Sequence, residues 1–160
     1  MTDSLELNEH ERTWTNLNVT YVTLRRAREL ELAQVGLTVP QAGVLYFLST
    51  SKEPLTPMKL SRLMSRQPHT LSALVNRMEA QGLVKTKKDL QRKNWVRVSL
   101  TKKGEQAFER QWSAKTTMNV TSCLSKKEND ELDAICKKLR SKGAELIRNL
   151  QPSPYTDLPL

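Results

Sequence analysis

The sequence contains few of the residues from which catalytic and metal centres are built. Its 160 residues include two cysteines, two histidines and five glycines. Cys123 and Cys136 lie far along the chain from His10 and His69, so no metal-ligand spacing is present. Ser–His–acid, Cys–His, paired-carboxylate and phosphate-loop patterns are also absent. We therefore expect a protein that is not an enzyme, with reduced thiols and with neither a metal nor a cofactor.

Long hydrophobic runs are missing as well. The longest fully apolar segment, 44–48, is far shorter than a membrane span, and no segment combines a charged start with an apolar run. A chain of this length suits one compact domain with a single core. The sequence therefore predicts one domain over 1–160, cytoplasmic and without a membrane partner.

Positive charge is concentrated in one third of the chain. The whole sequence has a net charge of +9. Residues 52–103 hold 13 Lys or Arg residues against three acidic ones, whereas the remainder is close to neutral. Such a patch is typical of a surface that meets nucleic acid, although a solvated basic face without a partner gives the same pattern.

Hydrophobic spacing and capping signals predict four helices in the first half of the chain. The first covers 8–33, starts with Asn8 and ends before a glycine. The second starts at Thr38 and is short and mostly buried. A third helix begins at Thr56, and a turn of three residues separates it from a fourth that begins at Pro68. Two short helices joined by such a turn are typical of a helix-turn-helix.

After residue 82 the spacing of apolar residues is no longer helical. Two short segments, the second alternating over 95–100, flank a polar and charged stretch, which predicts a β-hairpin with a basic tip. Thr101 then starts a helix that carries apolar residues as far as Met118, and Ser125 caps a last helix that ends before Pro152. The expected fold is mainly α with a small β-hairpin wing.

The exposed face of the fourth helix carries the candidate base contacts. Its apolar residues form one stripe, so a rotation of about 100° per residue places small polar side chains opposite that stripe. In the DNA major groove Asn can bond adenine, Arg can bond guanine, and small side chains can approach closely. An ordinary solvated helix face is the alternative. The candidate residues are Gln67, His69, Thr70, Ser72, Ala73, Asn76 and Arg77.

The hairpin and the third helix supply the candidate phosphate contacts. Basic residues crowd the hairpin, where their mutual repulsion is unfavourable unless phosphates neutralise it. Contacts of this kind set the register of a protein on DNA without reading its sequence. The candidates on the wing are Lys87, Lys88, Arg92 and Lys93. Those on the third helix and its turn are Thr56, Lys59, Arg62 and Arg66.

Three short motifs resemble the MarR family of transcription regulators. They are Asn76-Arg77-Met78-Glu79, Gly82-Leu83-Val84, and Val96-Arg97-Val98-Ser99-Leu100-Thr101 followed by Lys103-Gly104. The resemblance covers roughly residues 38–108. The sequence departs from the family's pattern at two places. Ala73 stands where the family often has Arg. Arg92-Lys93-Asn94 stands where the wing tip usually has Asp-Arg-Arg, and Asp89 is close enough to substitute for that Asp.

The resemblance implies a winged helix-turn-helix core over 38–100 with dimerisation helices at 5–36 and 101–150, followed by a flexible tail at 151–160. It also implies a homodimer that acts as a repressor on double-stranded DNA with a pseudo-palindromic operator. The apolar faces of the terminal helices independently support a dimer, because their area exceeds what one small domain can cover.

Many members of the family bind small aromatic compounds between the dimerisation helices and the winged domain. The resemblance therefore implies an aromatic effector, for which Trp14, Tyr21 and Tyr46 are the candidate pocket residues. Aromatic residues at helical spacing also occur as plain core. Two other functions fit the same sequence: non-specific architectural nucleic-acid binding, and a winged-helix module for protein interaction.

Overall fold

The computed structural model describes residues 8–88, 96–113 and 116–150. Within this part of the chain the fold is mainly α with one β-hairpin, as the sequence predicts. The elements in chain order are α1 (Glu9–Gln34), α2 (Val39–Thr50), α3 (Pro57–Leu63), α4 (Pro68–Ala80), β1 (Val84–Lys88), β2 (Val96–Leu100), α5 (Lys102–Ser113), α6 (Thr116–Thr121) and α7 (Lys126–Leu150).

Side-chain caps fix the starts of α1, α2, α3 and α7 where the sequence predicts them. Asn8 accepts from the backbone of Glu11 at the start of α1, and both α1 and α2 begin with a complete capping box. At α7 the Ser125 hydroxyl and backbone N–H both donate to Glu128, at 2.7 and 2.8 Å. These bonds lower the pKa of the Glu128 carboxyl. Each cap satisfies backbone groups that a helix end leaves without partners.

The region between Thr101 and Ser125 contains two helices, α5 and α6. The sequence pattern predicts one helix as far as Met118. Residues 114–115, which separate α5 from α6, lie outside the described residues, and so does the tail 151–160.

One hydrophobic core joins α2, α3, α4 and the hairpin. The predicted stripe of α4 forms its centre, because Leu71, Leu74, Val75 and Met78 are all at most 6% exposed. Leu32 and Leu37 extend the core toward α1. Burial of one face fixes how α4 is rotated about its own axis, so the opposite face is left to solvent.

The hairpin is antiparallel, and its register pairs Val84 with Leu100 and Lys88 with Val96. Val98 is buried, whereas its neighbours in β2 are exposed, as the alternating pattern predicts. The Val98 N–H donates to the carbonyl of Leu55 at 2.8 Å, which ties the segment before α3 to the wing.

The start of α5 is packed against the chain that leaves α4. Gly82 has a φ of +70°, a conformation that glycine adopts without strain. The Thr101 hydroxyl donates to the Gly82 carbonyl at 2.6 Å, and Lys103 Nζ donates to the Gln81 carbonyl at 2.7 Å. Gly104 lies so close to this segment that a Cβ there would be 2.0 Å from the Leu83 carbonyl oxygen.

The two long helices leave large apolar side chains exposed. On α1 these are Trp14, Leu17, Val19, Tyr21, Val22, Leu24 and Leu30. On α7 they are Leu132, Ile135, Leu139, Leu146, Ile147 and Leu150. Within the described ranges no single helix is long and apolar enough to cross a membrane; α1 and α2 meet that test only as a pair, with a bend of 82° between them.

Replacement of Gly104 tests the close packing between α5 and the Leu83 carbonyl. We expect Gly104→Ala to lower the free energy of unfolding by about 1–3 kcal/mol, because backbone atoms rather than a flexible side chain must move. Urea unfolding at a fixed protein concentration measures the change. Gln106→Ala, at an exposed position of the same helix, is the control and should change stability by less than about 0.5 kcal/mol. Equal stability of the two variants would contradict the close approach.

Candidate nucleic-acid interface

The polar face of α4 lies open to solvent. All seven side chains that the sequence predicts as base contacts are exposed. Within the described part of the chain none of them forms a side-chain hydrogen bond or an ion pair. Their donors and acceptors are therefore available to an external partner, while the buried stripe on the other side of the helix holds the backbone in place.

The turn between α3 and α4 is held by its backbone. Ser65 has a φ of +49°, which is uncommon for a residue other than glycine. The Arg66 N–H donates to the carbonyl of Ser61 at 2.9 Å, and Ser61 itself is buried. The backbone of the turn is thus fixed, whereas the side chains of Arg62 and Arg66 are exposed.

The four candidate phosphate contacts near α3 differ in their surroundings. The Thr56 hydroxyl accepts from the backbone N–H of Lys59 and serves as the cap of α3. Lys59 Nζ lies 2.7 Å from the carboxylate of Glu53, whose pKa it lowers. Arg62 and Arg66 form no side-chain hydrogen bond or ion pair with the described residues. Arg62 and Arg66 are therefore the two candidates whose positive charge no carboxylate in the described part of the chain neutralises.

The wing presents further positive charge beside α4. Lys87 and Lys88 are exposed at the end of β1, and Lys87 stands opposite Arg97 on β2. The other two predicted wing contacts, Arg92 and Lys93, lie outside the described residues. The described part of the hairpin therefore supplies two of the four candidate residues.

A carboxylate joins the helix α4 to the wing. Glu79 Oε1 accepts from the Thr86 N–H at 2.6 Å and from the Thr86 hydroxyl at 2.7 Å. Both residues are half-buried. Hydrogen bonds to a charged acceptor are stronger than neutral ones, so this contact fixes the angle between the polar face of α4 and the basic residues of β1. Sequence reasoning missed it, since the pairing depends on how the hairpin packs on the helix.

A cleft of about 670 Å³ opens between α1, the start of α2, the turn before α4 and the end of α6. Tyr21 lines it, together with apolar residues of α1 and α2. Trp14 and Tyr46, the other two candidate pocket residues, do not line this cleft. The ring of Tyr46 instead lies 5.3 Å from that of Phe47 and 6.2 Å from that of Trp112.

Three arginines, Arg25, Arg28 and Arg66, are among the polar residues of the cleft. Arg25 Nε donates to Glu29 at 2.9 Å, and the carboxylate of Glu29, followed by the hydroxyl of Tyr21, raises the pKa of the guanidinium. Arg28 pairs with the buried Glu31. Among the described residues no group of three or more His, Cys, Asp or Glu side chains could hold a metal ion.

These features define a winged helix: a helix-turn-helix with an exposed polar second helix, followed by a basic hairpin. Residues 35–93 match the model of the MarR family. The chain therefore has a winged-helix fold and is similar to the MarR family over this region, which supports a DNA-binding transcription regulator. No curated protein sequence gave a match to the chain.

Solved structures of regulators match most of the chain. The organohalide-sensing transcriptional regulator RdhR without ligand is 26% identical, with a TM-score of 0.81, over 98% of this chain and 90% of that one. Its 2,4-dichlorophenol-bound form matches with the same identity and score, over 99% and 93%. A mutant of E. coli MarR in complex with operator DNA is 22% identical, with a TM-score of 0.75, over 85% and 99%.

A double-mutant cycle tests the contact between Glu79 and Thr86. We expect Glu79→Ala and Thr86→Val to show a coupling energy of about 1–2 kcal/mol in urea unfolding, because the hydrogen bond between the hydroxyl and the carboxylate is absent from either variant. The matched cycle combines Glu79→Ala with Ser99→Ala, since Ser99 is exposed on β2 and forms no hydrogen bond with Glu79. That second cycle should be additive. Additivity in both cycles would show that the bond between the Thr86 hydroxyl and Glu79 does not brace the wing.

Proposed function

We propose that this protein is a sequence-specific repressor that binds double-stranded DNA as a cytoplasmic homodimer. The observation that carries the proposal is the polar face of α4, which is exposed and backed by the core, and whose side chains form no hydrogen bond with the described residues. A buried stripe on one side and exposed polar groups without protein partners on the other suit a helix that lies in the major groove.

Asn76 and Arg77 are the residues that we assign to base recognition. An Asn side chain can accept from and donate to adenine, and an Arg can donate to both acceptors of guanine. Ala73 and Ser72 are small enough to let the helix approach the base edges. Gln67, His69 and Thr70, at the start of the helix, contribute to the same surface.

The cations on either side of α4 supply sequence-independent affinity. Arg62 and Arg66 precede the helix, and Lys87 and Lys88 follow it on the wing. Contacts from these residues to phosphates release counterions from DNA, so they make binding depend strongly on salt. Arg92 and Lys93 belong to the same proposed set.

The exposed apolar faces of α1 and α7 support the homodimer. Val22 is 61% exposed and Ile135 is 54% exposed, although both are β-branched apolar residues in the interior of a long helix. Contiguous apolar surface of this extent marks a protein–protein interface more often than free surface. A second copy of the chain, which offers the same two faces, would cover their side chains outside the cleft and would place two polar α4 faces on one DNA duplex.

A response to a small effector is the second part of the proposal. The volume and mostly apolar wall of the cleft are typical of small-molecule sites. One of the similar structures holds 2,4-dichlorophenol. The cleft lies between α1 and the helix-turn-helix, so a ligand there contacts both the proposed dimerisation region and the DNA-binding region.

Two other functions predict different binding behaviour. An architectural nucleic-acid binder would show a strong dependence on salt but little preference among sequences. A protein-interaction module would show no DNA affinity at moderate salt. The exposed polar face of α4 favours sequence-specific binding, because neither alternative needs it.

Base recognition is tested with duplexes selected from a random library, compared with scrambled duplexes across a salt series. We expect the wild type to bind the selected duplex at least about a thousandfold more tightly. Asn76→Ala should reduce that preference by about tenfold or more and leave the affinity for scrambled DNA unchanged, because a base contact specifies sequence.

Lys87→Ala is the matched control for that experiment. It should weaken both duplexes alike and make the salt slope shallower by about 0.9, because the variant neutralises one phosphate fewer than the wild type. Equal affinity of the wild type for the two duplexes, or a uniform loss in Asn76→Ala, would contradict sequence-specific recognition by α4.

The dimer is tested at the exposed apolar face of α7. We expect Leu139→Glu to shift the protein from dimer to monomer in size-exclusion chromatography with light scattering, because a carboxylate would be buried without a partner. Lys138→Glu adds the same carboxylate at the adjacent exposed position and should leave the dimer intact. A wild-type monomer at micromolar concentration, or an unchanged dimer in Leu139→Glu, would contradict this interface.

A further inference from the structure

We propose that the methyl group of Ala73 contacts the C5-methyl group of a thymine, and that this contact makes a T·A pair part of each operator half-site. The inference rests on the proposed sequence-specific binding of DNA and adds to it a base that α4 selects. Ala73 lies in the first half of α4 and is exposed. It places an apolar group on the helix face that carries the polar base contacts.

Ala73 lies at the centre of the exposed face of α4. At about 100° per residue, its direction is roughly 150° from the mean direction of the buried stripe. Thr70, Asn76 and Arg77 lie within about 60° of Ala73 on either side, and all three are exposed. When α4 lies in the major groove with its buried stripe away from the DNA, Ala73 therefore faces the base edges most directly.

The major groove offers an exposed methyl group one apolar partner. The base edges there present hydrogen-bond donors and acceptors, and the C5-methyl group of thymine is the exception. Contact between the two methyl groups removes apolar surface of both from water. A cytosine at the same place presents an amino group, which Ala73 cannot bond and which would lose its water. Ala73 therefore favours T·A over C·G at the base pair that it faces.

The position of Asn76 relates this thymine to a second base. Ala73 and Asn76 are about 4.5 Å apart along the helix axis, and successive base pairs are about 3.4 Å apart. Both side chains can therefore reach bases of the same half-site. Because Asn bonds adenine, we expect a thymine contacted by Ala73 to lie about one or two base pairs from an adenine contacted by Asn76.

Helix propensity is the other explanation for an alanine at this position, because alanine stabilises the interior of an exposed helix more than any other residue. That explanation predicts that Ala73→Gly lowers stability and leaves the response to a thymine methyl group unchanged. The methyl group of the protein and that of the DNA can be removed independently. A cycle that combines the two changes therefore separates the explanations.

The experiment uses the full chain and a duplex selected from a random library, in which one thymidine at a time is replaced by deoxyuridine. This replacement removes the C5-methyl group and leaves the O4 acceptor in place. Equilibrium binding is measured at one salt concentration for the wild type, Ala73→Gly and Ala80→Gly. Ala80 is exposed at the last position of α4, so its replacement is the matched control for the loss of a methyl group from this helix.

We expect each half-site to contain a thymine whose replacement weakens binding by the wild type and by Ala80→Gly about fourfold, because one buried methyl contact is lost. The same replacement should change binding by Ala73→Gly by less than about twofold, because the methyl group of the protein is already absent. The effect is a ratio of two affinities of the same protein, so a general loss of affinity in a less stable variant cancels.

The proposal is overturned if the wild type is insensitive to replacement of every thymine, if Ala73→Gly keeps the full sensitivity of the wild type, or if Ala80→Gly loses it as well. In each of these cases, a wild type that still prefers the selected duplex over a scrambled one leaves the proposed function standing. Equal affinity of the wild type for the selected and scrambled duplexes overturns the proposed function and the thymine contact together.

Discussion

Burial of the apolar stripe of α4 is the constraint on which the rest of the structure depends. Leu71, Leu74, Val75 and Met78 recur at helical spacing and are almost completely excluded from solvent. Each buried side chain of this size contributes about 1.5–3 kcal/mol, so rotation of the helix about its axis would be strongly unfavourable. The same four residues therefore hold the core together and decide which residues of α4 face outward.

Contacts at both ends of α4 also fix the positions of the basic residues that flank this helix. The turn at Ser65 sets where Arg62 and Arg66 lie, and the bonds between Glu79 and Thr86 set where the wing begins. Arg25 and Arg28 on α1 are paired with carboxylates one helical turn away, whereas the two arginines before α4 have no such partner among the described residues. Positive charge thus remains beside the face of α4 that we propose as the DNA interface.

Local signals in the sequence predicted most of the fold. The caps at Asn8, Thr38, Thr56 and Ser125 and the stripe of α4 depend on residues a few positions apart, and the structure confirms them. The contact between Glu79 and Thr86 and the lining of the cleft depend on how separate elements pack, which spacing along one helix does not encode. The three aromatic residues show the difference: all fit a helical pattern, yet Tyr21 lines the cleft and Trp14 and Tyr46 do not.

The most direct test of the account is chemical protection of a selected duplex by the wild-type protein, read at guanine N7 in the major groove. We expect two protected blocks whose centres are about one helical turn apart, because the proposed dimer would place one α4 in each of two successive major grooves. Protection spread evenly along the duplex, or an unprotected major groove despite tight binding, would contradict the central claim that the polar face of α4 reads DNA.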